Sequence, residues 1–382
     1  MLEPLPPVQV EAVGLVTVPM ELARPLRTAR GTSIEADVLL VHVRAQEAEG
    51  WAEVAVEAAP TYAPEFRAGE RLALLEHLVP RAWEGPTGDA GALGDHLAAV
   101  RGHHPARAAL QLAVLDAQLR AAGRSLAAWL GATVDAVPVG AALSLALDPH
   151  GRLDEAALLA DADQALAAGA SRLRLKVAPG TAAATARSVR DHVGPGVVLQ
   201  ADANGSFRFE DPAHLAELTE LDDVGLACLE QPLAPEDLAG HAQLAERLAT
   251  PICLDEPLTS IGALDAAVAL GACEIACLKP ARVGGWLTAR RFVDRCGELG
   301  VPVWIGGMLE SGIGRAANVA LAAYANAPLP MDLDPRPRFV ADLSDPLLAV
   351  DGRSPVPTGP GTGATPDWGL LASASMDRLV PG

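Results

Sequence analysis

The chain has 382 residues, of which half are hydrophobic and 20% are charged, and its formal net charge at pH 7 is −19. These values are typical of a globular protein with one or two domains and not of a disordered chain. The negative charge argues against nucleic acid or an anionic membrane surface as a partner, because both bind basic protein faces.

The sequence shows no run of about 18 apolar residues, and its first residues lack the basic and apolar regions of a signal peptide. We therefore expect a cytoplasmic protein that makes no membrane contact. The cysteines all lie in apolar segments and form no CxxC pair, which predicts free, buried thiols in a reducing compartment. They are Cys228, Cys253, Cys273, Cys277 and Cys296.

Residues 1–130 predict an α+β module. Three strand-like segments come first, and their sequences are VQVEAVGLVTVPM, DVLLVHVRAQ and GWAEVAVEA. Helical patterns follow at about residues 67–79, 88–100 and 104–122. We expect this module to form a domain that is separate from the rest of the chain.

Residues 131–335 alternate short apolar runs with Ala- and Leu-rich amphipathic segments, most of which end in Gly or a Pro-containing turn. Eight such units predict a parallel barrel or a doubly wound sheet. Residues 336–382 are rich in Pro and Gly, and we expect them to pack back on the first module. The predicted strands are 137–145, 172–177, 197–202, 226–231, 251–256, 274–280, 301–306 and 328–333.

Only two of the 29 basic residues are lysines, namely Lys176 and Lys279. Arginine is effectively never deprotonated in a protein, whereas a lysine can be tuned to act as a base. Their position in the fold therefore decides whether the two lysines are functional.

Both lysines belong to a series of charged residues at the ends of predicted strands 2 to 6. From Lys176, the series continues with Asp202, Glu230, Asp255 and Lys279 at separations of 26, 28, 25 and 24 residues, which is one βα unit each time. The carboxyl ends of barrel strands converge on one mouth. Three carboxylates that meet there need a neutralising cation, and oxygen ligands suit Mg²⁺, with Mn²⁺ as an alternative.

Strand alternation places Arg174 on the same face as Lys176. A neighbouring arginine and a divalent cation would both favour the uncharged amine that a general base needs. Asn204 follows Asp202 and could hydrogen-bond a substrate or a metal ligand. In the Gly-rich run 306–318, Glu310 could orient Lys279.

The sequence resembles the enolase superfamily, and specifically its o-succinylbenzoate synthase/N-succinylamino acid racemase branch. The resemblance covers nearly the whole chain, and the segments that carry it are EAAPTY, QADAN, LEQPL, CLDEP, LKPARVGG, VPVWIGGMLESGIGRAANVALA and VPTGPGTG. It implies a (β/α)7β barrel with an N-terminal α+β capping domain that the C-terminal tail completes. It further implies Mg²⁺ on Asp202, Glu230 and Asp255, with Lys176 and Lys279 on opposite faces of a small carboxylate substrate.

The reaction that the resemblance implies first is o-succinylbenzoate synthesis, a dehydration through an enediolate intermediate in menaquinone biosynthesis. Racemisation of N-succinylamino acids by the two lysines is the alternative, and the same catalytic residues serve both. A barrel-shaped binding protein without activity is a hypothesis of another class, but loss of catalysis would have released the two lysines to become arginine. The residues expected to bind the substrate or support the site are Arg174, Asn204, Ser144, Arg282, Gly307, Met308 and Glu310.

Two features depart from the family pattern. Arg174 stands where the family has the first lysine of a KxK motif, and MDLDPRPRF (331–339) replaces a short Gly-Asp-Thr/Ser run. In related dipeptide epimerases a DxD pair such as Asp332 and Asp334 binds the substrate's amino group, so dipeptide epimerisation is a third hypothesis. We expect specificity to lie in the segments 28–33 and 61–66 and in the loop after strand 8, and we expect a homo-oligomer.

Overall fold

The computed structural model describes residues 2–28, 31–148, 150–325, 327–372 and 374–381, and it contains two sheets. Four antiparallel strands form the first sheet, in the order β13-β1-β2-β3. The second is parallel along the path β10-β9-β8-β7-β6-β5-β4-β11, and a short strand β12 pairs antiparallel with β4. Residues 29 and 30, in one of the predicted specificity segments, lie outside the described residues.

The antiparallel sheet belongs to the first part of the chain and to its last strand. Its strands are β1 (Val10–Thr28), β2 (Gly31–Ala45), β3 (Glu49–Glu53) and β13 (Ser375–Leu379). β13 pairs antiparallel with β1, so the end of the chain adds an edge to the N-terminal sheet. β12 (Arg353–Pro355) and α13 (Trp368–Leu371) lie in the returning segment.

Helices cover the N-terminal sheet. β3 approaches α4 so closely that a Cβ on Gly50 would lie 2.0 Å from the carbonyl oxygen of Ala113. Asp116 of α4 accepts hydrogen bonds from the backbone of Trp51 and of Thr362, which joins the sheet to the C-terminal segment. The helices are α1 (Arg67–Ala73), a π-helical turn (Leu74–Leu78), α2 (Val79–Trp83), α3 (Ala90–Leu97), α4 (His104–Ala121) and α5 (Leu126–Leu130).

The parallel sheet has the predicted alternation of strands and helices. Seven of the eight predicted strands contain an observed one, and the first observed strand begins one residue before its predicted range. Its strands are β4 (Ala136–Leu143), β5 (Arg172–Lys176), β6 (Val198–Asp202), β7 (Leu229–Glu230), β8 (Ile252–Leu254), β9 (Ile275–Leu278), β10 (Val303–Ile305) and β11 (Met331–Asp332). The helices between them are α6 (Glu155–Ala167), α7 (Ala182–Val193), α8 (Pro212–Asp222), α9 (Leu238–Ala245), α10 (Ile261–Ala269), α11 (Trp286–Leu299) and α12 (Gly312–Ala325). β4 pairs with both β5 and β11, which brings the first and last strands of the series together. The predicted fold class, a (β/α)7β barrel with a separate α+β domain, is confirmed.

All five cysteines are buried and free. Among the described residues, no helix is long and apolar enough to cross a membrane.

Candidate active site

The five charged residues of the predicted series meet at one end of the barrel. Lys176, Asp202 and Glu230 are the last residues of β5, β6 and β7, and the register places them side by side. Asp255 and Lys279 are the first residues after β8 and β9. All five side chains are buried, so their charges must be compensated by neighbouring protein groups and not by water.

Lys176 lies against the first of the carboxylates. Its Nζ donates to Oδ2 of Asp202 at 2.5 Å and to Oδ1 of Asn204 at 2.9 Å. The backbone N–H of Asn204 donates to the other oxygen of Asp202, at 3.0 Å. Asn204 has a left-handed backbone with φ of 47°, a conformation that asparagine tolerates better than most residues. Asn204 therefore positions both Lys176 and Asp202.

Arg174 links three acidic side chains. Its guanidinium lies 3.3 Å from Asp202 Oδ2, 3.1 Å from Glu230 Oε1 and 2.6 Å from Asp332 Oδ2. Burial lowers the pKa of Arg174, but Asp332 and Glu230 outweigh it and hold that pKa well above the ordinary value. Arg174 therefore carries a fixed positive charge in the centre of the carboxylate cluster.

Glu230 is the deepest of the three predicted metal ligands. Its Oε2 accepts a hydrogen bond of 2.5 Å from Gln200, whose own Oε1 accepts from Arg172 at 2.6 Å. Burial, with the charge of Asp202 as a second cause, raises the pKa of Glu230 to about 8. Without a metal ion, this carboxyl therefore favours its protonated form at neutral pH.

Lys279 belongs to a second group, which the N-terminal domain completes. Its Nζ lies 2.9 Å from Asp255 Oδ2 and 2.5 Å from the hydroxyl of Tyr62. Arg282 donates to Asp255 Oδ1 and to the same Tyr62 hydroxyl. Burial would raise the pKa of Asp255, but Arg282 and Lys279 hold it well below its usual value.

The donor set fits a divalent cation. Ligand atoms of Glu230, Asp255 and Cys277 lie within 4.8 Å of one another, and the Asp202 carboxylate is the next one along the strand ends. Carboxylate oxygens are the ligands that hard divalent cations prefer, and they outnumber the single thiol. Burial is the main cause of the raised pKa of Glu230, and a cation there would offset the second cause, which is the repulsion from Asp202.

Two adjoining cavities open onto the lysines. The larger has a volume of about 540 Å³ and lies between residues 55–65 of the N-terminal domain and Lys279, Arg282 and Met308 of the barrel. The smaller, of about 60 Å³, is bordered by Lys176, Lys279 and Arg338. Glu57, Tyr62, Lys279 and Met308 line both, so a substrate in either cavity would reach a lysine.

The remaining predicted residues are distributed unevenly around the cavities. Gly307 and Met308 line the smaller cavity. Ser144 lies after β4 and accepts a 3.3 Å hydrogen bond from the backbone of Arg27. Glu310 was a candidate to orient Lys279, but none of the described hydrogen bonds joins the two residues. The Glu310 carboxylate instead accepts hydrogen bonds from Met308 N at 2.7 Å and from Asn318 Nδ2 at 3.1 Å. Glu310 therefore shapes the loop that lines the cavity.

Three residues that bind charged groups of the site were not identified individually from the sequence. Tyr62 lies in a segment expected to set specificity, but its bond to Lys279 depends on how the two domains dock. Gln200 precedes Asp202 by two residues, and strand alternation could have placed it on the same face. Gln231, with φ of 39°, accepts from the backbone N–H of Asp255 through its side chain, and nothing in the sequence pattern indicates this.

Comparison with known proteins identifies the family. A family model described as Enolase C-terminal domain-like matches residues 157–370. The chain is 42% identical to an N-succinylamino acid racemase from an Amycolatopsis species, over 97% of this chain and 99% of that one. The chain belongs to the enolase superfamily.

Further comparisons agree with this membership. An o-succinylbenzoate synthase from Geobacillus kaustophilus is 37% identical, with 93% of each chain covered. A solved enolase superfamily structure from Listeria innocua superimposes with a TM-score of 0.90 at 31% identity, covering 98% of this chain and 100% of that one. This superfamily member is therefore an enzyme with full-length relatives named as synthases and racemases.

Proposed function

We propose that this enzyme removes the proton from the carbon next to a substrate carboxylate, and that its main reaction is o-succinylbenzoate synthesis in the cytoplasm. The observation that carries the proposal is the pair of buried lysines at the two ends of a carboxylate cluster, within one connected cavity. The full-length relatives that bear the synthase name support this choice of substrate.

In the proposed reaction, Lys176 takes the proton from the substrate carbon and then gives a proton to the departing hydroxide, so that water leaves. Lys279 contributes positive charge on the other side of the substrate. Asp202, Glu230 and Asp255 would hold Mg²⁺, which when bound supplies Lewis-acid stabilisation of the negative charge that develops on the substrate carboxylate. Asn204 and Tyr62 position the two amines through the hydrogen bonds described above.

Racemisation of N-succinylamino acids is the second candidate. It requires one proton-transferring group on each face of the carbon, and the two lysines supply them. The relative named as an N-succinylamino acid racemase, at 42% identity, favours this reaction. Both reactions begin with the same proton removal, so one site can perform both.

Dipeptide epimerisation has less support. An ammonium group would need unpaired carboxylates at the end of β11 and just after it, but Asp332, the last residue of β11, is bound to Arg174 at 2.6 Å. Asp334 is bound to Arg24 at 3.1 Å and to Arg336 at 2.8 Å. Neutralised carboxylates attract an ammonium group weakly.

The test is turnover with Mg²⁺ of three substrates, namely the o-succinylbenzoate precursor, an N-succinylamino acid and an Ala-Glu dipeptide. Lys176→Ala and Lys279→Ala remove one amine each. Lys176→Arg is the matched control for charge, because arginine keeps the positive charge but cannot accept a proton. We expect dehydration that both Lys176 variants abolish and that EDTA prevents.

Each other outcome has a definite meaning. Racemisation without dehydration would replace the main reaction by the second candidate. Epimerisation of the dipeptide would contradict the argument from Asp332 and Asp334. Undiminished activity of Lys176→Arg would refute the role of Lys176 as a base.

A further inference from the structure

Arg338 lines the cavity that the two lysines also line. It lies six residues after Asp332, in the segment that follows the last barrel strand, and it is partly buried. Lys176, Asn204 and Lys279 line the same cavity. Arg338 belongs to the loop after strand 8, in which we expect specificity to lie, but no sequence pattern distinguishes it as an individual residue.

The other cations of this cavity already have carboxylate partners. Arg174 is bound to Asp332, Lys176 to Asp202 and Lys279 to Asp255. Among the ion pairs of the described residues, none includes Arg338. Its Nε is buried without a hydrogen-bond partner in the part of the chain that the structure describes. A buried donor without a partner is costly, and a ligand bound to the rest of the guanidinium would offset part of this cost.

The chemistry of the proposed substrates supplies such a ligand. The o-succinylbenzoate precursor and the N-succinylamino acids each carry two carboxylates, one beside the carbon that loses its proton and one at the end of the succinyl group. The first belongs with the carboxylate cluster and its cation. The second can bind a guanidinium that forms no ion pair among the described residues, and a guanidinium binds a carboxylate through two parallel hydrogen bonds.

We propose that Arg338 binds the terminal carboxylate of the substrate's succinyl group and so selects succinyl over shorter, uncharged acyl groups. The inference rests on the proposed function, because it assumes a succinyl substrate. It makes the segment after β11 a specificity determinant through Arg338, whereas Asp332 and Asp334 serve to hold neighbouring arginines.

The experiment compares two substrates that differ only in the second carboxylate, namely the N-succinyl and N-acetyl derivatives of one amino acid, with Mg²⁺ present. The variants are Arg338→Met, Arg338→Gln and Arg338→Lys. Arg24→Met is the matched control, because it removes a nearby guanidinium that is paired with Asp334.

We expect Arg338→Met to lower kcat/KM for the N-succinyl substrate by about 10- to 100-fold, the range for loss of a charged hydrogen bond. The N-acetyl substrate should change by less than about 3-fold, and Arg338→Lys should be intermediate.

A second measurement does not depend on turnover. Calorimetry with Mg²⁺ compares the affinity for o-succinylbenzoate with that for 2-butanoylbenzoate, which lacks the terminal carboxylate. Equal losses for both members of either pair, or no loss, would overturn the role of Arg338. If Arg338→Met does not fold, Arg338→Gln gives the same ratios. A wild-type enzyme that turns over neither acyl substrate nor the dehydration substrate would instead refute the proposed function.

Discussion

A single carboxyl at the junction of the two domains gives a quantitative prediction about stability. Glu53, the last residue of β3, is buried against the start of α12. Its Oε2 accepts hydrogen bonds from Ser311 Oγ at 2.7 Å, Ser311 N at 3.0 Å and Gly314 N at 3.3 Å. Burial, with the nearby charge of Glu310, raises the pKa of Glu53 from 4.5 to about 8. At neutral pH this carboxyl is therefore protonated in the folded protein and ionised in the unfolded chain.

The sign of the pH dependence follows from this difference. Because the folded-state pKa of Glu53 lies above the unfolded value, its contribution to stability is complete below about pH 4.5 and is lost as the pH rises through about 8. The difference of about 3.5 units corresponds to roughly 5 kcal/mol at 1.36 kcal/mol per unit. Between about pH 5.5 and pH 8.0 the expected loss in the free energy of unfolding is roughly 3 kcal/mol.

Glu53→Gln keeps the shape and the hydrogen-bonding capacity of the neutral side chain but cannot ionise. We expect its advantage over the wild type in the free energy of unfolding to grow by roughly 3 kcal/mol between about pH 5.5 and pH 8.0. Urea unfolding followed by circular dichroism at several pH values measures this difference. Glu76→Gln, the same change at an exposed position, is the control and should follow the wild type. If the curves of Glu53→Gln and wild type run parallel across this range, Glu53 is ionised in the folded protein and the reasoning is wrong.

Three further predictions concern packing, charge and thiol reactivity. Gly50→Ala places a methyl group 2.0 Å from the Ala113 carbonyl oxygen and should lower the free energy of unfolding by about 3 kcal/mol. Gly297→Ala, where nothing lies within 4 Å, should raise it by about 0.5 to 1 kcal/mol, and an equal response of the two variants to urea would contradict this packing. Arg174→Met leaves Glu230 and Asp332 without their cation, while Asp202 keeps Lys176, and it should cost about 3 to 5 kcal/mol in urea unfolding. Arg174→Lys should retain most of the stability. The buried cysteines should resist iodoacetamide at about pH 8 in the native protein and react with it in urea. Mass spectrometry measures this labelling, and rapid labelling of the native protein would contradict their burial.

The sequence by itself determined the alternation of strands and helices and the order of the charged groups at the strand ends. Short apolar runs separated by amphipathic segments predict strands and helices, and one βα unit between successive charged residues places them on neighbouring strands. Once the strands are parallel, Lys176, Asp202 and Glu230 must lie side by side, as the register shows. The scarcity of lysine among the basic residues also distinguishes the two amines from the many arginines of the chain.

Only the tertiary structure decided how the site is completed from distant segments. Tyr62 reaches Lys279 across 217 positions of sequence, and Glu53 reaches Ser311 across 258. Neither contact follows from a periodic pattern, because it depends on how the N-terminal domain sits on the barrel. The same holds for Arg338, because among the described residues it is Arg174, and not Arg338, that pairs with Asp332. Local periodicity determines which residues end a strand, whereas the pairing of buried charges depends on distances that only the folded chain sets.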